Sequence, residues 1–238
     1  MNIKAIAFDA DDTLWDNEPF FLDVEKEMCK ILSPFGKAEE ISAQLFKTEM
    51  ANMDDYGYGA MAFTLSLVEN AVKVSHGQVP ATDIARIIEL GRTLLRLKAT
   101  PLDGVVETLC QLKTNGGYRL AVFTKGELLT QEHKLQRSGL MPYFDNILIV
   151  SDKTEQQYTD LCRTLNVAPS ELMTVGNSLK SDVLPALNIG AWAVHIPYHV
   201  MWQHEVIDDF DHSRMFRIER FAEIIDLLKT NGGLWFHQ

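Results

Sequence analysis

Five short apolar runs, separated by helical patterns rather than by turns alone, restrict this chain more than any other feature. They are IKAIAF (3–8), YRLAVF (118–123), NILIVS (146–151), LMTVG (172–176) and AWAVHI (191–196). Apolar runs of this length fit strands buried on both faces. Helical spacing lies between them: Val105, Val106, Leu109, Cys110 and Leu112 before the second run, and Tyr158, Leu161, Cys162 and Leu165 before the fourth. Strands alternating with helices over short connections predict an α/β fold, a Rossmann-like parallel sheet covered by helices. In such sheets ligands bind beyond the carboxyl ends of the strands, so those ends are where chemistry is expected.

The alternation is interrupted between Glu18 and Thr100, where helical stretches replace strands: 19–32 (Phe21, Val24, Met28, Ile31), 38–51, 60–74 and 82–98 (Ile84, Ile87, Ile88, Leu94, Leu95). Ser33-Pro34-Phe35-Gly36 and DDYGYG (54–59) read as turns inside this region, and Pro101 with Asp103-Gly104 marks its end. Four helices on short turns pack as a bundle. The predicted organisation is a core of 1–17 and 100–238 with a helical-bundle cap domain of 18–99 inserted after the first strand, hanging over the strand ends as a lid.

Composition excludes several classes. The 238 residues are 46% hydrophobic, ordinary for a globular chain. No apolar run reaches the roughly 18 residues of a membrane span, and no secretory-type segment opens the chain, so a cytoplasmic protein with no membrane partner is expected. A net charge of −11 disfavours a nucleic acid polymer but not a small anionic substrate. Cys29, Cys110 and Cys162 have no metal-like spacing and read as small core residues. His195, His199 and His204 invite a zinc reading, but Pro197 interrupts any helix that would align them. Tyr198 and Trp202 read as packing residues, Tyr56-Gly57-Tyr58 as cap packing or a substrate-facing turn, and Ile218, Phe221, Ala222, Ile225 and Leu228 as a core-facing helical stripe. A monomer or a homodimer is expected.

The strand ends carry reactive groups. The first runs into four aspartates, Asp9, Asp11, Asp12 and Asp16, with Thr13 among them; the second ends at Thr124, the third is followed by Lys153, and the fourth opens into GNSLKSD (176–182). Two carboxylates spaced like Asp9 and Asp11 can divide nucleophilic attack and proton transfer between them. Acids that close need a countercharge, which Mg²⁺ supplies with its preference for oxygen, and Asn177 and Asp182 offer further hard ligands. Thr124, the amides of Lys125 and Gly126 at a helix start, and Lys153 suit a phosphoryl group. Alone, each has an ordinary alternative: a solvated turn for the acids, a helix cap for Thr124, and an exposed side chain for Lys125 or Lys153.

Taken in order, Asp-x-Asp-x-Thr (9–13), Thr124, Lys153 and Gly-x-x-x-x-x-Asp (176–182) resemble the four motifs of the haloacid dehalogenase-like superfamily, over most of the chain. FTKGELLTQEHKLQRSGL followed by YFD resembles its subgroup of helical-cap phosphatases acting on nucleotides, sugar phosphates and similar metabolites. The resemblance implies that Asp9 attacks phosphorus, that Asp11 protonates the leaving alcohol and then activates water, and that Thr124 and Lys153 hold the phosphoryl group. It also implies Mg²⁺ bound by Asp9, the Asp11 carbonyl and the fourth motif. Two positions depart from the pattern: Asp12 stands where the family usually has Gly, and Asn177 where a second acid is common. A Mg²⁺-dependent phosphatase for a small phosphorylated metabolite is the resulting expectation. A haloacid dehalogenase, a phosphosugar mutase and a non-enzymatic phospho-accepting module of receiver type are its rivals.

Overall fold

A computed structural model describes residues 1–115 and 117–231. They form two compact units: one of Met1–Glu18, Ala99–Lys125 and the chain from Leu135 onward, the other of Pro19–Lys98 with Gly126–Lys134.

The first unit is built on a parallel sheet of β1 (Ala5–Phe8), β2 (Arg119–Lys125), β3 (Asn146–Val150), β4 (Leu172–Gly176), β5 (Trp192–His195) and β6 (Met215–Arg217), in the order β3-β2-β1-β4-β5-β6. β1 lies between β2 and β4, with Phe8 opposite both Val122 and Val175. The chain leaves β1 toward β2 and leaves β4 toward β5, so the direction of winding reverses between β1 and β4. That reversal opens a crevice at the carboxyl ends of those two strands, the usual ligand position in such sheets. β6 is the strand that the sequence pattern does not predict. It is three residues long and half-exposed, too short to show a period.

Side chains alternate between the two sheet faces. Ile6 and Phe8 pack with Leu120, Val122, Met173 and Val175 on one face, where helices α5 (Val105–Asn115) and α9 (Glu223–Thr230) supply Leu109 and Ile224. Ala5 and Ala7 lie on the other face with Ala121 and Phe123, under α7 (Glu155–Leu165), which contributes Tyr158, Leu161 and Leu165. Small alanines on that face make room for the Phe123 and Tyr158 rings, whose centroids are 4.8 Å apart in an edge-on contact. One expectation fails here. Cys110 is exposed, because the buried stripe of α5 is Val105, Leu109 and Leu112, and Cys110 lies one step of about 100° around the helix from Leu109. Cys29 and Cys162 are buried.

The second unit contains α1 (Glu18–Ile31, entered from the first unit), α2 (Ala38–Tyr56), α3 (Ala60–Val74) and α4 (Ala81–Leu95), around Met28, Leu32, Leu45, Leu67, Ile87 and Leu94. α2 runs five residues beyond its predicted end, so the expected turn at 54–59 begins only at Gly57. The start of α6 (Leu128–Ser138) belongs with this unit for a specific reason. Gly59, at the N-cap of α3, has no side chain to offer, and the Glu127 carboxylate accepts instead from the amides of Met61 (2.8 Å) and Ala62 (3.3 Å). Thr130 Oγ1 donates to the other Glu127 oxygen at 2.9 Å. A Cβ on Gly59 would sit 2.7 Å from Glu127 Cδ, so the glycine is needed for this cap borrowed from a distant segment. No helix among the described residues is long and apolar enough to cross a membrane.

Glu127→Ala should remove the cap and weaken α3 by about 1 kcal/mol. Hydrogen exchange should show the Met61 and Ala62 amides opening roughly fivefold more often; unchanged protection there would show that the carboxylate contributes nothing to the helix.

Candidate active site

The candidate residues from β1, β3 and β4 converge on one ammonium group. Lys153, three residues past β3, is 4% exposed, and its Nζ donates to Asp9 Oδ1 and, at 2.6 Å, to Asp182 Oδ1. Asp9 follows β1 directly, its amide extending the ladder to Val175 O at 2.9 Å. Asp182 lies in a π-helical turn, Leu179–Val183, after β4, and its second oxygen accepts from the Ser178 amide at 2.9 Å. The Lys153 ammonium also lies 5.6 Å from the Phe123 ring centroid. Gly176 makes this approach possible. A Cβ there would lie 2.3 Å from Asp182 Cγ, inside the carboxylate itself.

Electrostatics follow from sharing one cation between two acids. Burial pushes the Asp9 carboxyl up, the Lys153 ammonium pulls it back, and the charges on Asp182 and Asp11 push again, leaving it raised to about 7. Burial alone would lower the Lys153 ammonium, but Asp182 and Asp9 outweigh burial and hold it protonated well above the usual lysine range. With all three ionised the trio carries one excess negative charge, which calls for a further cation.

The segment after β1 is a tight turn. The Leu14 amide donates to Ala10 O and the Asp12 amide to Trp15 O, both at 2.8 Å. Buried Trp15 donates its indole Nε1–H to Asp11 Oδ1 at 2.7 Å, which fixes the direction of that carboxyl. Thr13 Oγ1 donates to Asn177 Oδ1 at 3.3 Å, joining the first motif to the fourth. Asn177 is held from beneath as well: its carbonyl accepts from Nε2 of buried His195 at 3.0 Å, and Arg217 lies 3.4 Å from Nδ1. Burial lowers the His195 pKa, in keeping with a neutral ring whose proton is on Nε2. His195 thus stands in a hydrogen-bonding role, and among the described residues no group of three or more His, Cys, Asp or Glu gathers as a metal cluster. The oxygens available at this rim, from carboxylates, an amide and backbone carbonyls, are the hard donors that suit Mg²⁺.

Asp12 answers to backbone geometry. It has φ of 60°, in the left-handed region, where Gly costs nothing and Asp is among the better tolerated residues. Its buried carboxylate accepts from the amides of Asn17 (2.7 Å) and Glu18 (3.0 and 3.1 Å), where α1 begins. Burial raises this carboxyl to about 7 against the pull of those amides.

Thr124 is buried near the end of β2, its hydroxyl 3.5 Å from the Lys125 carbonyl. Gly126 follows with φ of 134°, between that strand and α6. Lys125 is turned toward a residue that sequence reasoning missed: its Nζ donates to Glu205 Oε1 at 2.5 Å and to Ser181 Oγ at 2.9 Å. Nothing in the sequence singles out Glu205, which sits in an irregular segment 80 residues from Lys125. Tyr198, read as packing, donates its hydroxyl to Asp16.

With this arrangement in view, the profile of the haloacid dehalogenase-like hydrolases matches residues 3–190. The chain belongs to that family. A crystal structure of a haloacid dehalogenase-like family hydrolase from Xanthomonas campestris is similar to it at a TM-score of 0.87 and 31% identity, covering 96% of this chain and 91% of that one. The glyceraldehyde 3-phosphate phosphatase of Methanothermobacter thermautotrophicus is 26% identical over 204 residues, 81% of this chain and 84% of its own. The N-acylneuraminate-9-phosphatase of Mus musculus is 25% identical over 199 residues, 79% of each chain.

The family's usual glycine can be tested at position 12. Asp12→Ala should lose the cap and keep the left-handed strain, costing about 2 kcal/mol, whereas Asp12→Gly should cost about half as much. Urea unfolding midpoints in which the two variants coincide would sink this account.

Proposed function

We propose that the protein is a Mg²⁺-dependent phosphatase that hydrolyses a small phosphorylated metabolite through an aspartyl-phosphate on Asp9. The observation that carries the reading is the convergence of Asp9 and Asp182 on the buried Lys153 ammonium, with Asp11 fixed beside them. Family membership and the phosphatase names of these two relatives support it. Those relatives act on a triose phosphate and on a sugar-acid phosphate by name, which supports a small phosphate ester as the substrate class.

In this reading a carboxylate oxygen of Asp9 attacks phosphorus, and the bond from phosphorus to the ester oxygen breaks. Asp11, aimed by the Trp15 indole, gives its proton to the leaving alkoxide. It then takes a proton from water as that water attacks the aspartyl-phosphate, releasing phosphate and restoring Asp9. Lys153 stays charged throughout and offsets negative charge on the transferring group, and Thr124 supplies a hydroxyl, with the Lys125 and Gly126 amides, for phosphoryl oxygens. Asp9, the Asp11 carbonyl, Asn177 and Asp182 are the proposed Mg²⁺ donors. When bound, the ion supplies charge neutralisation at the attacking oxygen and the phosphoryl group. Asp182, both of whose oxygens accept hydrogen bonds, also orients Lys153. The second acid separates this reading from a dehalogenase, which has no leaving alcohol to protonate. The inserted helical unit is the proposed selector of substrate.

Asp9→Asn should reduce phosphate release from aryl, sugar and nucleotide monophosphates by at least about 10⁴-fold while the fold persists by circular dichroism. A variant with full activity would refute the covalent route. Chloride release from 2-haloacids, with no phosphate release from any ester, would favour the dehalogenase instead.

The acid side of the pH–rate profile is a separate test. A carboxyl raised to about 7 is protonated below that pH, and the nucleophile is the anion, so at low Mg²⁺ kcat/KM should fall as pH drops through about 7. Raising Mg²⁺ should move this limb to lower pH, because a cation beside Asp9 favours its ionised form. A limb indifferent to Mg²⁺ would separate Asp9 from the metal.

A further inference from the structure

Glu205 is a buried acid that the proposed reaction does not use. It lies in the turn Gln203–Glu205 after β5, outside the matched residues 3–190, and is 9% exposed. Its Oε1 accepts from Lys125 Nζ at 2.5 Å, and its Oε2 accepts from Ser178 Oγ and Ser181 Oγ, both at 2.6 Å. The donor and acceptor roles close without conflict. Ser181 Oγ donates to Glu205 and accepts from Lys125 at 2.9 Å, and Ser178 Oγ donates to Glu205 and accepts from the Ser181 amide at 3.0 Å. A carboxylate is costly to bury unless every oxygen is satisfied, and here three side chains are committed to that end.

The partners are not scattered. Lys125 directly follows Thr124, Ser178 directly follows Asn177, and Ser181 directly precedes Asp182. Thr124 belongs to β2 and Asn177 follows β4, and these strands are separated by β1, the strand that delivers Asp9. No ladder hydrogen bond can therefore join the end of β2 to the turn after β4. Glu205 joins them through side chains, ion-pairing Lys125, the last residue of β2, and hydrogen-bonding Ser178 and Ser181 in the turn after β4. The same contacts direct the Lys125 ammonium at Glu205, while Lys153 donates to Asp9.

We infer that Glu205 is a positioning residue, a clamp from outside the four motifs that sets the spacing between the phosphoryl-binding end of β2 and the metal-binding turn after β4. This rests on the phosphatase reading above. The clamp acts on both ligands at once: loosening it moves Thr124 with its following amides, and Asn177 with Asp182, away from their joint optimum. A residue that merely filled space would change stability and leave ligand affinities where they were.

The test uses Glu205→Gln, which keeps the shape of the side chain and removes its charge, with Glu205→Asp as the conservative variant. Mg²⁺ and inorganic phosphate binding to the full chain are measured directly by calorimetry, and activity on p-nitrophenyl phosphate is followed as Mg²⁺ is titrated and as phosphate is added as a product inhibitor. In Glu205→Gln the Mg²⁺ concentration for half-maximal activity and the phosphate inhibition constant should each rise about tenfold, the scale seen when groups behind metal ligands are removed. Glu205→Asp should recover part of both. Should Glu205→Gln fail to fold, Ser181→Ala removes one arm of the same clamp and should raise both constants in the same direction. Wild-type Mg²⁺ and phosphate constants in a folded Glu205→Gln, or in Ser181→Ala, would overturn the clamp while leaving the phosphatase reading intact. Wild-type protein that releases no phosphate from any ester with Mg²⁺ would overturn both.

Discussion

The Lys153 ammonium, buried between the Asp9 and Asp182 carboxylates, is the contact on which the rest of the first unit depends. Removing Lys153 would leave two buried carboxylates with no cation between them, among the most destabilising single changes available to a fold. The trio can form only if three strand ends arrive together: β1 must stop at Phe8, β3 must deliver Lys153 after a short connection, and the turn after β4 must fold back over Gly176. Each condition is met by a local feature of the chain. One cation between two acids also leaves the group short of positive charge, so the arrangement that holds the strand ends together is at the same time suited to a divalent ion.

The core beneath the trio is shaped to hold it. The Tyr158 hydroxyl donates to Ser181 O at 3.0 Å, and Thr174 Oγ1 donates to Asp182 O at 3.0 Å. These carbonyls belong to the π-helical turn, where the regular helical bonding pattern is interrupted and backbone acceptors need other partners. Tyr158 reaches them because its ring packs edge-on to Phe123 over a floor of alanines. Enlarging Ala7 or Ala121 would lift that ring, and the effect would reach Asp182 through the hydroxyl. The apolar layer and the polar site are therefore one mechanical assembly.

Much of this was legible in the sequence because it is carried by periodicity and by residues adjacent to it. The five apolar runs become β1 to β5, and the reactive residues fall at their ends because a run of apolar residues stops where water or a ligand begins. What was not legible depends on contacts between distant segments. The three-residue β6 has no period to detect, yet it supplies Arg217, which lies 3.4 Å from the His195 ring. The Glu127 cap of α3 joins residues 66 apart in the chain. Cys110 was misplaced because an apolar neighbour in sequence is not a neighbour on a helix face. Glu205, in an irregular segment rich in His and aromatic residues, offered no spacing from which its partnership with Lys125 could be read.

The two departures from the family pattern have different physical characters, and the structure separates them. At Asp12 the backbone requirement is unchanged: the left-handed φ that favours glycine is present, and the aspartate accepts its strain in return for hydrogen bonds to the Asn17 and Glu18 amides. Its charge is thereby directed into the backbone at the start of α1. At Asn177 the backbone is supported by His195, and the change is in charge alone, an amide oxygen where a carboxylate is common. Loss of that charge cannot be repaired by Glu205, because its carboxylate is already balanced by Lys125. The excess negative charge of the Asp9, Lys153 and Asp182 trio, with Asp11 beside it, is then what this rim offers a cation, and the hydrogen bonds around these groups hold the donors at their spacing.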